Sequence, residues 1–128
     1  MGKKVYSHDD GVRMARYRDE FEHPSVFGKW LGCYRIRGFD ETFDQMTQPP
    51  ENRVFVIYSY GEHFPMYVWD EGTHQWLGNK DKYSRTTTSH QSKYRPSEVA
   101  NWFDTTTLKK ILRYGYIGHI TNRMESRL

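Results

Sequence analysis

Thr86, Thr87, Thr88 and Ser89 stand directly ahead of His90, with Lys82 and Arg85 before them and Lys93 and Arg95 after. Hydroxyl residues that open a helical turn sit beside free backbone amides carrying partial positive charge. Flanked by cations, such a turn is how proteins hold a phosphate or another oxyanion. Thr87 and His90 are three apart, so a turn beginning near Thr86 puts them on one face. The candidate anion or nucleic-acid site is therefore Lys80, Lys82, Arg85, Thr86, Thr87, Ser89, His90, Lys93 and Arg95. The competing reading is structural: the hydroxyls cap the helix and His90 hydrogen-bonds within the fold.

Rings supply the second set of chemistry. Tyr58, Tyr60 and Tyr83 are candidate aromatic contacts, because single-strand binders stack bases on rings presented beside phosphate-binding cations. The same rings, with Tyr67 and Trp69, also suit the core of a chain that is 16% aromatic. The one cysteine, Cys33, could pair with His63 or His90 as a thiol nucleophile, although a lone cysteine in an apolar strand is usually core. His63, His74 and His90 would bind a metal only if the fold brought them together, and no carboxylates stand at ligand spacing to help. Neither a metal nor a cofactor is expected.

Charge narrows the partner. The 128-residue chain has a formal charge of +3, but residues 1–79 hold nine Lys/Arg against twelve Asp/Glu, and residues 80–128 hold ten against four. The basic carboxyl-terminal part is where a polyanion would be drawn. The amino-terminal residues have no apolar run of signal-peptide type, and Tyr6 stands where a myristoylation motif wants Ser or Thr. With one cysteine and no apolar stretch of membrane-spanning length, the expected setting is the cytoplasm, with no membrane partner.

The elements that must position these residues follow from pattern. Asp9 or Asp10 can cap a helix over about 11–21, which His23-Pro24 ends. The alternation in 29–37 reads as a strand. Residues 40–52, closing on Pro49-Pro50, read as an acidic loop. The run from Arg53 to Tyr60, bounded by Asn52 and Gly61, is the best central strand. Strands over 64–69 and 74–77 are joined by the turn Asp70-Glu71-Gly72-Thr73 and pair antiparallel. Helices are predicted near 86–93, at 97–103 with Ser97 as cap, and at 107–114 with the Thr105-Thr106-Thr107 run as cap. A short strand around 118–120 and a frayed tail would follow. The expected fold is a single α+β domain over 1–128, with a signature core at about 53–96. Its small antiparallel β-meander packs against carboxyl-terminal helices.

The pattern YSYG-x-HFP, followed by W-x-x-N-x-DKYS-x-TT-x-x-HQS, resembles a signature of small uncharacterised proteins of bacteriophages, prophages and plasmids. It covers 58–96, with Tyr58, Ser59, Tyr60, His63, Pro65, Trp76, Asn79, Tyr83, Ser84, Thr86, Thr87, His90, Gln91 and Ser92 at the matching positions. The resemblance implies a mobile-element accessory protein in the host cell and attaches no activity to it. Binding is the expected mode of action, either to nucleic acid or to a host nucleic-acid-handling or defence complex. The enzymatic alternative rests on His90-Gln91-Ser92 and His119-Ile120-Thr121. Both are H-x-[ST] doublets similar to those of two-histidine phosphoesterases, in which each histidine does acid–base work, and they would imply a small phosphodiesterase or nucleotide-processing enzyme.

Overall fold

A computed structural model of the chain describes residues 2–32 and 53–114. Within them the order is β1 (Lys3–Lys4), α1 (His8–Arg16), β2 (Phe21–Glu22), β3 (Val26–Gly32), β4 (Arg53–Ser59), β5 (Pro65–Asp70), β6 (Gln75–Asn79), α2 (Arg85–Tyr94), β7 (Asn101–Phe103) and α3 (Thr105–Tyr114). The strands form one seven-stranded sheet whose spatial order equals the sequence order. Neighbours from β2 to β6 are antiparallel, whereas β1–β2 and β6–β7 are parallel. The α+β class holds, but the sheet is mixed and larger than the small meander expected.

The two parallel pairs explain where the helices go. Parallel neighbours need a crossover, supplied here by α1 between β1 and β2 and by α2 between β6 and β7. The first strands of both crossovers point the same way, and both step in the same direction across the sheet. Right-handed connections then place α1 and α2 on the same face, where they touch. The opposite face receives α3.

Residues along β4 divide between these faces by the two-residue strand period. Val54, Val56 and Tyr58 pack with Val68, Leu77, Leu108 and Ile111 under α3, while Phe55 and Ile57 pack with Ala15, Phe21, Tyr67 and Tyr94 under α1 and α2. Every β4 side chain from Val54 to Ser59 is buried. A strand covered on both sides needs continuous rather than alternating hydrophobicity, which is the pattern of this run.

The β5–β6 hairpin forms as predicted, with Trp69 opposite Trp76 and Asp70 opposite Gln75. The Asp70 carboxylate accepts from the Thr73 amide at 2.9 Å and the Thr73 hydroxyl at 2.6 Å, so its turn chemistry is the expected one.

Several boundaries and caps differ from the sequence reading. Ser7 caps α1, accepting from the Asp10 amide at 3.2 Å, and the helix runs 8–16 rather than 11–21. Ser84 caps α2 in place of Thr86 or Thr87, and Asp104 caps α3 in place of the threonine run, accepting from the Thr107 amide at 2.7 Å. The helix expected over 97–103 is absent. Residues 101–103 instead extend the sheet as β7, because the open edge of β6 takes a backbone partner there, and the Ala100 amide donates to the Trp76 carbonyl at 2.8 Å. Gly78 allows this, since a Cβ there would lie 2.6 Å from the Trp102 ring. The strand expected at 29–37 is β3, which begins earlier, at Val26; the expected residues 33–37 lie outside the described ones. The loop at 40–52, Cys33 and the 118–120 strand lie outside the described residues. Among the described residues, no helix is long and apolar enough to cross a membrane.

Candidate functional site on the α1–α2 face

The signature helix α2 turns Thr87, His90, Gln91 and Tyr94 toward the sheet, all less than 5% exposed. This i, i+3, i+4, i+7 row is the buried stripe of an amphipathic helix, yet it is polar, so each member needs a defined partner. The Thr87 hydroxyl accepts from Ser84 Oγ at 3.1 Å. Gln91 Nε2 donates to the Asn79 and Asp81 carbonyls at 2.9 and 3.0 Å, and the Gln91 carbonyl accepts from the Tyr67 hydroxyl at 2.6 Å. Asn79, fully buried, donates to the Pro65 carbonyl and Thr105 Oγ1 and accepts from the Asp81 amide. Much of the signature thus holds α2 against β5, β6 and the start of α3.

His90 belongs to a different group. Its Nδ1 lies 2.8 Å from Ser59 Oγ at the end of β4, and its ring stands 5.2 Å from that of His8, the first residue of α1. His8 lies 4.1 Å from His23 in the β2–β3 turn, and its Nδ1 lies 2.9 Å from the Tyr94 hydroxyl. Three imidazoles thus gather where α1, α2, β4 and the β2–β3 turn meet. The exposed Tyr60 ring lies 5.3 Å from His90. Tyr60 has φ 64°, a left-handed conformation costing about 1–3 kcal/mol in a non-glycine residue, and its amide is anchored on the Ser25 carbonyl at 2.8 Å.

The electrostatics follow from this crowding. Burial, then the neighbouring His8, Lys93 and His23, push the His90 pKa below its ordinary value. Burial, then His23 and Lys93, lower that of His8 against the pull of Asp9. Burial raises Tyr94 to about 12, keeping its hydroxyl protonated. His23 Nδ1 accepts the Ser25 amide at 3.1 Å, so the proton of its neutral ring sits on Nε2. That tautomer presents a donor rather than a lone pair at the outer nitrogen, which does not suit a metal ligand. Among the described residues, no three His, Cys, Asp or Glu side chains are arranged to hold a metal ion.

The cations do not form the single patch that their sequence proximity implies. Lys80, Lys82, Arg85, Lys93 and Arg95 are all exposed. Lys80 lies toward the start of α3, its amide on the Phe103 carbonyl, while Lys93 and Arg95 sit at the far end of α2 beside α1. There they meet arginines that the sequence reading left out. A 490 Å³ cavity is floored by Val12, Ile57 and Trp76 and edged by Arg16, Arg18 and Arg95. A second, of 470 Å³, is bordered by His8, Val12, Arg13, Arg16 and Lys93, with Asp9 as its one carboxylate. Val12 and Arg16 border both, so the two cavities adjoin along α1. Some of these charges are already engaged: Arg13 pairs with Asp10, Arg18 stacks on Trp69 at 4.4 Å, and Arg95 stacks on Trp102 at 5.1 Å.

Comparison with protein-family models, with curated proteins and with solved structures finds no match to this chain.

Of the aromatic candidates, Tyr60 is 57% and Tyr83 70% exposed, while Tyr58 is 2% exposed and stacks on Phe27 in the core under α3. Tyr58 is therefore corrected from ring platform to core. Thr86 and Ser89 are exposed, and Thr87 is a buried structural residue whose amide is taken by Ser84. His63 stands beside Tyr83 and His74 beside Trp69. His90 instead meets His8 and His23. His119 lies outside the described residues. The signals that could have located His8 and His23 are faint: Ser7 as a cap just before one, and Pro24 just after the other.

Proposed function

We propose that this is an accessory protein of mobile-element type that acts by binding nucleic acid, and that its binding face is the groove between α1 and α2. One observation carries the reading: Arg13 and Arg16 of α1, Arg18 just beyond it, and Lys93 and Arg95 at the end of α2 border two adjoining cavities, the larger with an apolar, aromatic floor. Cations track a phosphate backbone, and Trp76 and the exposed Tyr60 offer surfaces for unpaired bases. From His8 to Arg16 the helix rises about 12 Å, the span of roughly three stacked nucleotides at ~3.4 Å each. The groove lies between two close-packed helices, which favours a single strand over a rigid duplex. The resemblance of 58–96 to phage and plasmid proteins supports the mobile-element part.

The test is fluorescence anisotropy with a labelled single-stranded oligonucleotide across a salt series. Binding through the groove makes affinity fall with salt, and Arg16→Ala with Lys93→Ala flattens the log–log slope by about 0.7 per lost phosphate contact. Salt-independent binding, or none at low salt, overturns the reading and favours docking onto a host protein.

A further inference from the structure

His8 borders the smaller cavity and leads to His90 and His23 behind it, a cluster that does more than binding requires. Resting on the nucleic-acid reading above, we propose that His8 and His90 form an acid–base pair that cleaves single-stranded RNA without a metal, with His23 and Lys93 holding the phosphate. Both rings are anchored at Nδ1 by a hydroxyl, His90 by Ser59 at 2.8 Å and His8 by Tyr94 at 2.9 Å. A hydroxyl can donate or accept, so each Nδ1 bond survives whether the ring is neutral in either tautomer or protonated. Each Nε2 can therefore gain or lose a proton while the ring stays fixed, which an acid–base catalyst needs and a purely structural histidine does not. Among the described residues, neither Nε2 makes a hydrogen bond. His23 differs. Its Nδ1 is held by a backbone amide, which fixes Nε2 as a donor suited to a phosphate oxygen.

Among the described residues, the cluster has no balancing set of carboxylates. Around it stand three imidazoles and Lys93, with Asp9 as the opposing carboxylate. A bound phosphate would relieve that repulsion and favour protonation of one ring of the pair. The exposed Tyr60 ring, held in its left-handed conformation 5.3 Å from His90, places a stacking surface beside the reacting group.

The reaction balances without a further reactant. One imidazole takes the 2′-hydroxyl proton at its Nε2 as O2′ bonds to phosphorus. The P–O5′ bond breaks, and O5′ receives the proton of the other, protonated imidazole. The products are a 2′,3′-cyclic phosphate and a 5′-hydroxyl. Because the nucleophile belongs to the substrate, RNA is the substrate class and DNA is inert.

The experiment uses the full chain with a 5′-labelled single-stranded RNA in EDTA, beside the all-deoxy oligonucleotide of the same sequence. Expected are cleavage of the RNA alone, cyclic-phosphate ends on the 5′ fragments, and a loss of about 10²–10⁴-fold in rate in both His8→Gln and His90→Gln, each compared at an RNA concentration that anisotropy shows to saturate that variant. His8 is only partly buried, so His8→Gln is the variant expected to keep the fold, checked by its melt. Binding of RNA without cleavage overturns this inference and leaves the groove reading standing. Absence of binding overturns both. Cleavage of the deoxy strand, or an undiminished rate in His8→Gln, overturns the assigned chemistry.

Discussion

Gly11→Ala should destabilise the protein, although glycine to alanine inside a helix ordinarily stabilises it by about 1 kcal/mol. Gly11 is the buried point at which α1 approaches α2. A Cβ there would lie 2.5 Å from the Tyr94 hydroxyl oxygen and 3.1 Å from the Phe21 ring. Non-bonded heavy atoms prefer about 3.5 Å, so the hydroxyl would have to retreat by roughly 1 Å, away from His8 Nδ1. Overpacking costs about 1–3 kcal/mol, and the lost hydrogen bond about 1 kcal/mol more. Against a propensity gain of about 1 kcal/mol, the net is a loss of about 1–3 kcal/mol. For a chain of this size that lowers Tm by about 4 °C per kcal/mol. Urea and thermal unfolding followed by circular dichroism measure it. The mechanism is separated from general crowding by repeating the substitution in Tyr94→Phe, where the nearest atom is gone. There Gly11→Ala should cost less, with a coupling of about 1 kcal/mol. A raised Tm for Gly11→Ala, or an equal cost in both backgrounds, would refute the close approach of α1 and α2 at this residue.

Three further outcomes follow from the same contacts. His8 and His90 have folded pKa values below the ordinary 6.5, so the unfolded chain binds more protons in mildly acid solution. Stability should therefore fall as pH drops from about 7.5 through 6.5 toward those depressed values, by at most about 1.4 kcal/mol per pH unit for each histidine. The groups facing the pair are His23, Lys93, Asp9, Tyr60 and Tyr94, and His8→Gln should flatten the decline measured by urea unfolding at each pH. Ser84→Ala should cost about 1 kcal/mol as loss of the α2 cap, while Thr86→Ala, exposed and outside that bond, should change unfolding by under about 0.5 kcal/mol. Asn79→Ala removes three hydrogen bonds at a fully buried position and should cost about 3 kcal/mol in a urea titration, with α3 loosened because Thr105 loses its partner.

The middle of the sheet was legible because its signals are local. The β4 run is uninterrupted by polar residues, and the Asp70 turn chemistry sits between two aromatic strands. Residues 97–103 misled for a physical reason. Val99, Trp102 and Phe103 have helical spacing, but the free edge of β6 and the space left by Gly78 make a strand the better partner, and neither is local information. The site divides in the same way. His90 stood out by its neighbours, whereas His8 and His23 lie 82 and 67 residues away in sequence and reach it only through the β1–α1–β2 crossover. The basic groove was half visible for that reason: Lys93 and Arg95 were named from their run, while Arg13, Arg16 and Arg18 lie in a distant part of the chain that only the crossover brings beside them.

The most direct measurement of the central claim is the salt dependence of single-stranded oligonucleotide affinity for the wild-type protein and for Arg16→Ala/Lys93→Ala, with Lys80→Ala/Lys82→Ala as the control outside the groove. Binding in the α1–α2 groove predicts a steep salt slope that the first double variant flattens by about 1.4 and the control leaves near the wild-type value. Equal slopes for both double variants, or a loss of slope in the control alone, would contradict it.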